Sequence, residues 1–132
     1  MFCLLAQTEF IPNERNPELW VNMLLDEMPN LGMIPNLNQG IIFARKYKVS
    51  ISCIFQSIKQ FRMQYEDQWM QICGNCDFFL YLGGSDFDTQ IFVSPKCHVP
   101  LLEVVKDLPK DKCILNIRGN FTHIVEKYSS GK

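Results

Sequence analysis

The sequence predicts an α/β fold, in which helices pack on a mostly parallel sheet that ends in an antiparallel hairpin. Apolar runs of strand length alternate with longer segments whose apolar residues have helical spacing. Strands that alternate with helices are joined by right-handed crossovers and therefore lie parallel. Gly119-Asn120, between two late apolar runs, is typical of a hairpin turn. We expect one domain over residues 1–128 and a disordered tail at 129–132.

Each element follows from a local pattern in the chain. Six short apolar runs predict strands, at residues 2–6, 21–27, 49–55, 76–82, 112–118 and 122–126. Asn36 is a candidate helix cap before Leu37, Ile41 and Ala44, which fall at helical spacing. Ser57 is the second candidate cap, for a helix that Gly74 ends. Shorter helices are predicted at 85–93 and 101–108, and proline- or asparagine-rich loops at 8–18, 28–35 and 94–100.

Composition limits the function classes. The net charge of −1 gives no broad basic surface for nucleic acid, so any such contact is local. No apolar run approaches the roughly 20 residues that a membrane helix needs. The six cysteines are irregularly spaced, which favours free buried thiols over a disulfide framework.

The strand at 21–27 ends in two adjacent carboxylates, Asp26 and Glu27. Open α/β sheets bind their ligands at the carboxyl ends of the strands. An acid pair there suits magnesium and phosphate chemistry, and this is the pattern of a Walker B motif. Asp26 would hold Mg²⁺, often through water, and Glu27 would polarise an attacking water. An apolar run ending in acids is also a common way for a strand to leave a core, and the pattern alone favours that interpretation.

Gln56 follows the next strand of the predicted sheet. If the two strands are parallel neighbours, Asp26, Glu27 and Gln56 share one edge of the sheet. A glutamine there is placed to sense a phosphate. A buried amide bonded to the backbone is an equally weighted alternative.

Several segments together resemble one family. They are residues 24–32 and 34–36 (LLDEMPNLG, IPN), 51–57 (ISCIFQS), 74–77 (GNCD), 81–84 (YLGG), 108–113 (LPKDKC) and 117–119 (IRG). In this order, they are similar to the coupling proteins of type IV secretion and conjugation, the TraG/TraD family. The resemblance covers most of the chain, and its segments are specific as a set.

The resemblance implies a role for the larger parent protein. Members of this family are membrane-anchored, homo-hexameric, RecA-like ATPases that use ATP and Mg²⁺. They deliver DNA–relaxase or protein substrates to a secretion channel on the cytoplasmic side of the bacterial membrane. Expected partners are the other ring subunits, the relaxosome, the channel and DNA, while this piece itself is expected to be soluble. Arg45 is a candidate finger toward a neighbouring subunit's phosphate, although a solvated cation at a helix end is the favoured alternative.

The sequence also departs from the family. It holds no Gly-Lys-Ser/Thr phosphate loop, since its one Gly-Lys is at residues 131–132. We therefore expect a partial RecA-like, three-layer core without the phosphate-loop strand, with no nucleotide bound to this chain alone and no activity alone. The missing strand would lie between those at 49–55 and 76–82. These two strands are then expected to pair directly, or to leave an unpaired edge through which the chain self-associates.

Cys73 and Cys76 have the two-residue spacing of zinc and redox sites. The other nearby ligands, Cys97 and His98, are adjacent rather than spaced, so no zinc site is expected. Two alternatives to the motor function remain open. One is a non-catalytic module that docks relaxosome or accessory proteins, and the less favoured one is a small zinc or redox protein.

Overall fold

A computed structural model describes residues 2–6, 21–97, 102–120 and 122–129. The predicted loop at 8–18 and most of the predicted tail at 129–132 lie outside the described residues. The last part of the predicted loop at 94–100 also lies outside them.

The described residues form six strands and five α-helices. The strands are β1 (Phe2–Ala6), β2 (Val21–Leu25), β3 (Val49–Phe55), β4 (Phe78–Tyr81), β5 (Lys112–Ile117) and β6 (His123–Glu126). The helices are α1 (Leu37–Ala44), α2 (Ile58–Tyr65), α3 (Trp69–Asn75), α4 (Phe87–Lys96) and α5 (Leu102–Lys106). Short 3-10 turns occupy Met28–Leu31, Arg45–Tyr47 and Glu66–Gln68.

One sheet joins all six strands in the order β2-β3-β1-β4-β5-β6. β2 and β3 are parallel, and the other four pairings are antiparallel. This corrects the expectation of a mostly parallel sheet. β2, β3 and β4 do run in one direction, as the helical crossovers require, but β1 runs against them between β3 and β4. The β5–β6 pair forms the hairpin expected around Gly119.

The position of β1 corrects a second expectation. The strands β3 and β4 neither pair directly nor leave an open gap, because β1 fills the space between them. Leu4 lies opposite Cys53 on one side and opposite Phe79 on the other. The inner edges of β3 and β4 thereby gain backbone partners, and unpaired buried N–H and C=O groups would be costly. The unpaired edge expected at this place is therefore absent from the described sheet.

The core lies between the helices and one face of the sheet. Alternate residues of the strands enter it, including Ile51, Phe55 and Tyr81, and they share one apolar cluster with residues of α1 to α5. On the opposite face Ile54 and Leu80 are half-buried, and Leu24 is 64% exposed. The described residues form two layers, so the third layer stays a prediction.

Three helices differ from their predicted bounds, and α5 differs only by ending at Lys106 and not at residue 108. The helix expected from Ser57 to Gly74 is split, because Glu66 has a φ of 40°, which a right-handed helix does not accommodate. The helix expected at 85–93 instead continues to Lys96 with Pro95 inside its last turn. Its end is fixed by the fully buried Cys97, whose N–H donates to the Val93 carbonyl over 2.9 Å.

Candidate functional site

The acid pair stands directly after β2, at the carboxyl end of the strand. The Glu27 N–H donates to Oδ1 of Asp26 over 3.0 Å. Glu27 itself is left-handed, with φ 45° and ψ 45°. A non-glycine residue pays about 1 kcal/mol for this conformation, and such strain is concentrated at functional sites. The chain therefore leaves the extended conformation of β2 at Glu27.

Gln56 meets Glu27 at this edge. Nε2 of Gln56 donates to Oε1 of Glu27 over 3.2 Å, across two neighbouring parallel strands. Nδ2 of Asn30 donates to Oε2 of Glu27 over 2.8 Å. The structure thus brings together three of the four predicted site residues, Asp26, Glu27 and Gln56. Sequence reasoning missed Asn30 as a contributor, although its place three residues after Glu27 in a tight turn was a usable signal.

The cluster is open to solvent. Asp26, Glu27, Asn30 and Gln56 are all exposed. Carboxylate oxygens are the ligands that Mg²⁺ prefers, and it commonly keeps several waters when it binds one or two of them. The amide donors of Gln56 and Asn30 can turn to a phosphate oxygen with little cost, because their present bonds are exposed. The arrangement can therefore hold a hydrated metal and orient a water or a phosphate.

A second polar network, centred on Asp86, extends the same edge toward β4. The hydroxyl groups of Thr89 and Ser57 both donate to Oδ2 of Asp86, the latter over 2.8 Å. These bonds, that of Thr89 first, lower the pKa of the Asp86 carboxyl below its usual value. Ser57 Oγ also accepts from the Lys59 N–H over 3.2 Å, which confirms the predicted cap. Asp86 and Thr89 are not among the predicted site residues, although their position at the start of a predicted helix was an available signal.

One family of known proteins matches the part of the chain that contains this site. The family described as the TraM recognition site of TraD and TraG matches residues 20–97, more than half of the 132-residue chain. The chain belongs to the TraG/TraD family. No curated protein and no solved structure matches.

The match to the TraG/TraD family covers both polar clusters at the carboxyl ends of the strands, the one around Glu27 and the one around Asp86. It runs from the residue before β2 to the residue after α4, so Glu27, Gln56 and Asp86 all lie within it. It leaves out β1 and the β5–β6 hairpin. The family assignment supports a region of a conjugative coupling protein.

Arg45, the fourth predicted site residue, is not part of this cluster. It starts the 3-10 turn that leads into the amino end of β3, whereas Gln56 follows the carboxyl end of that strand. The backbone of Arg45 therefore lies near the amino ends of the parallel strands, whereas Glu27 lies at their carboxyl ends. A role toward a neighbouring subunit of a TraG/TraD ring stays a prediction.

Cys73 and Cys76 are among the residues that line a cavity of about 370 Å³ at the amino end of β4. Both are buried, and Cys76 Sγ donates to the Ile72 carbonyl over 3.2 Å. Burial raises the pKa of Cys73 to about 12 and raises that of Cys76 as well. Within the described ranges no group of three or more His, Cys, Asp or Glu side chains could hold a metal ion.

The described helices are short, the longest of them being α4 with 10 residues. None of them is both long enough and apolar enough to cross a bilayer.

Proposed function

We propose that this chain is the Walker B and sensor half of the motor ATPase domain of a conjugative coupling protein. The observation that carries the proposal is the bond from Gln56 to Glu27, at the carboxyl ends of two adjacent parallel strands. Acid and amide side chains meet there as a phosphate-sensing site requires. The family assignment supports the same class of protein.

Each residue has a proposed role. Asp26 holds Mg²⁺ through water, Glu27 is the general base that polarises the attacking water, and Gln56 senses the γ-phosphate. Asn30 is a positioning residue, since it fixes the second carboxylate oxygen of Glu27. In the resting state Gln56 donates to Glu27, and a bound phosphate would compete for that amide.

The remaining parts of the site belong to the parent protein in this proposal. The phosphate-cradling Gly-Lys-Ser/Thr is not in this sequence. ATP and Mg²⁺ are cofactors of the intact, hexameric, membrane-anchored parent, which recruits DNA or protein substrates and moves them to the secretion channel. This chain alone is inactive.

The test restores the missing cradle. The family's strand and Gly-Lys-Ser/Thr segment replaces residues 1–6, because β1 occupies the place between β3 and β4 that the phosphate-loop strand would take. ATP hydrolysis is then measured with Mg²⁺. We expect activity that Glu27→Gln lowers by about 100-fold or more, since general-base catalysis typically supplies that much. Glu103→Gln is the matched control, because Glu103 is exposed on α5, outside the site. Full activity in Glu27→Gln would rule out the motor function.

A second function, docking of a relaxosome-type partner, is favoured by the description of the matched family as a TraM recognition site. We propose it as a property of residues 20–97 that does not depend on nucleotide. Titration calorimetry of the whole chain with purified TraM tests it. Binding unchanged by Glu27→Gln supports it, and absence of binding contradicts it.

A further inference from the structure

The carboxyl half of α1 exposes two large apolar side chains to solvent. Leu37, Ile41 and Ala44 are buried on its inner side, as the sequence predicts. On its outer side Ile42 is 50% exposed and Phe43 is 56% exposed, and the helix carries no charged residue. Large apolar side chains on both sides of a helix are typical of a helix that is covered on both sides.

The apolar surface continues into the following 3-10 turn. Tyr47, four residues after Phe43, is 65% exposed. Lys46, four residues after Ile42, is exposed, and its Nζ lies 5.7 Å from the centre of the Tyr47 ring. Side chains four residues apart neighbour each other on a helix. We call Ile42, Phe43, Lys46 and Tyr47 the Phe43–Tyr47 surface.

The charge of this region is one-sided. No Asp or Glu occurs between Glu27 and Glu66. Three cations, Arg45, Lys46 and Lys48, lie within or beside the Phe43–Tyr47 surface in the sequence, in a chain whose net charge is −1. An apolar surface flanked by cations is complementary to an apolar stripe flanked by carboxylates.

We propose that the Phe43–Tyr47 surface binds an acidic amphipathic helix of a protein partner. This rests on the docking function proposed above and assigns that function a surface. The rings of Phe43 and Tyr47, with Ile42 beside them, offer an apolar surface on which the apolar side of a partner helix can pack along α1. A single-stranded nucleic acid is the weaker fit, because it requires stacking rings along a basic groove, and Ile42 offers no stacking face.

The experiment uses the full chain and a fluorescent model helix of roughly 18 residues, long enough to be helical. Its leucines form one stripe with glutamates beside them, and a twin peptide carries lysines instead. We expect the glutamate peptide to bind and the twin to bind at least about tenfold more weakly. Phe43→Ser with Tyr47→Ser should weaken binding by about tenfold or more, as loss of two aromatic anchors does.

Two further variants separate surface chemistry from folding. Met63→Ser is the matched control, since Met63 on α2 is 74% exposed and lies outside the Phe43–Tyr47 surface. It should leave peptide binding unchanged. Lys46→Glu should weaken binding of the glutamate peptide and strengthen binding of the lysine peptide. Misfolding cannot produce such a reversal of preference. Circular dichroism verifies that the variants keep their helices.

Three results would overturn the proposal. The first is failure of the wild-type chain to bind the glutamate peptide, and the second is a loss of peptide binding in Met63→Ser equal to that in the double variant. The third is that the chain binds oligothymidine, and that Phe43→Ser with Tyr47→Ser removes this binding while peptide binding persists. If TraM binds the double variant as well as it binds the wild type, the surface is wrong while the docking function stands.

Discussion

The hydroxyl of Tyr65 accepts a hydrogen bond from the Ile34 N–H over 3.2 Å. Tyr65 is buried at the end of α2, and its ring packs on that of Phe61 with centroids 5.1 Å apart. Ile34 belongs to the loop that follows the acid pair. The bond therefore ties the loop above Glu27 to the helical layer, and the fully buried Met28 ties it to the core.

Tyr65→Phe keeps the ring and removes this acceptor. We expect a loss of about 1 kcal/mol in the free energy of unfolding, the usual net value of one hydrogen bond. Urea denaturation measures it. Tyr47→Phe is the matched control, because that ring is 65% exposed, and it should be close to neutral. An equal effect of both substitutions would show that the Tyr65 bond does not stabilise the fold.

The backbone of Glu27 offers a second test. Because its φ is 45°, Glu27→Gly should be more stable than Glu27→Ala by about 1 kcal/mol, although both lose the bonds from Asn30 and Gln56. Glu126 in β6 is the control, since glycine weakens a strand and the order of stability should reverse there. Unfolding of the four variants in urea provides the comparison. Equal stability of the two Glu27 variants would argue against a left-handed turn.

The Asp86 network makes stability depend on pH. The pKa of Asp86 in the folded protein lies below its ordinary value because Thr89 and Ser57 donate to the carboxylate. As the pH falls below about 4, the Asp86 carboxyl is protonated in the unfolded chain before it is protonated in the folded protein. The stabilisation present at pH 7 is therefore lost as the pH falls through the pKa of the folded protein. Asp86→Asn should be less stable than wild type at pH 7, and the gap should narrow toward pH 3. Asp88→Asn is the control, because Asp88 is an exposed neighbour of Asp86. A difference between wild type and Asp86→Asn that stays the same from pH 7 to pH 3 would contradict a stabilising role of the Asp86 hydrogen bonds.

The insertion of β1 predicts sensitivity to proline at its centre. Leu4 pairs with both β3 and β4, so Leu4→Pro removes an N–H from the middle of the sheet. We expect a loss of at least about 1–3 kcal/mol, the cost of leaving a buried ladder partner unsatisfied, measured by thermal unfolding. Ser129→Pro, beyond the last strand, should have little effect. Unchanged stability of Leu4→Pro would mean that β1 is not in the sheet.

The buried thiols predict slow alkylation. The pKa values of Cys73 and Cys97 are raised to about 12 by burial, and the thiolate is the reactive form. Iodoacetamide at pH 8 should label both slowly in the folded protein and rapidly in urea, as mass spectrometry would show. Fast labelling of the folded protein, or stoichiometric zinc after purification, would instead support the redox or zinc alternative.

How far the sequence could predict this protein differs between its parts. The apolar run from Val21 and the acids that end it are a local signal for a strand with a polar exit. The burial that such a run indicates is not observed, because β2 is an edge strand of the described sheet and its Met23 and Leu24 are 43% and 64% exposed. Gln56 could be placed beside Glu27 because a helix between two strands forces them parallel, which puts their carboxyl ends together. The Ser57 cap was equally local, since its hydroxyl serves an N–H two residues away.

Other features were decided only by the tertiary structure. The direction of β1 depends on pairings across some fifty and seventy-five positions, with Cys53 and Phe79, and its composition is the same whichever way it runs. Glu66 breaks the long helix, and no local sequence signal predicted this break. The contact between Ser57 and Asp86 joins residues 29 positions apart, and local spacing does not specify it. The sequence by itself determined the chemistry available at the carboxyl edge, while the tertiary packing decided which groups meet there.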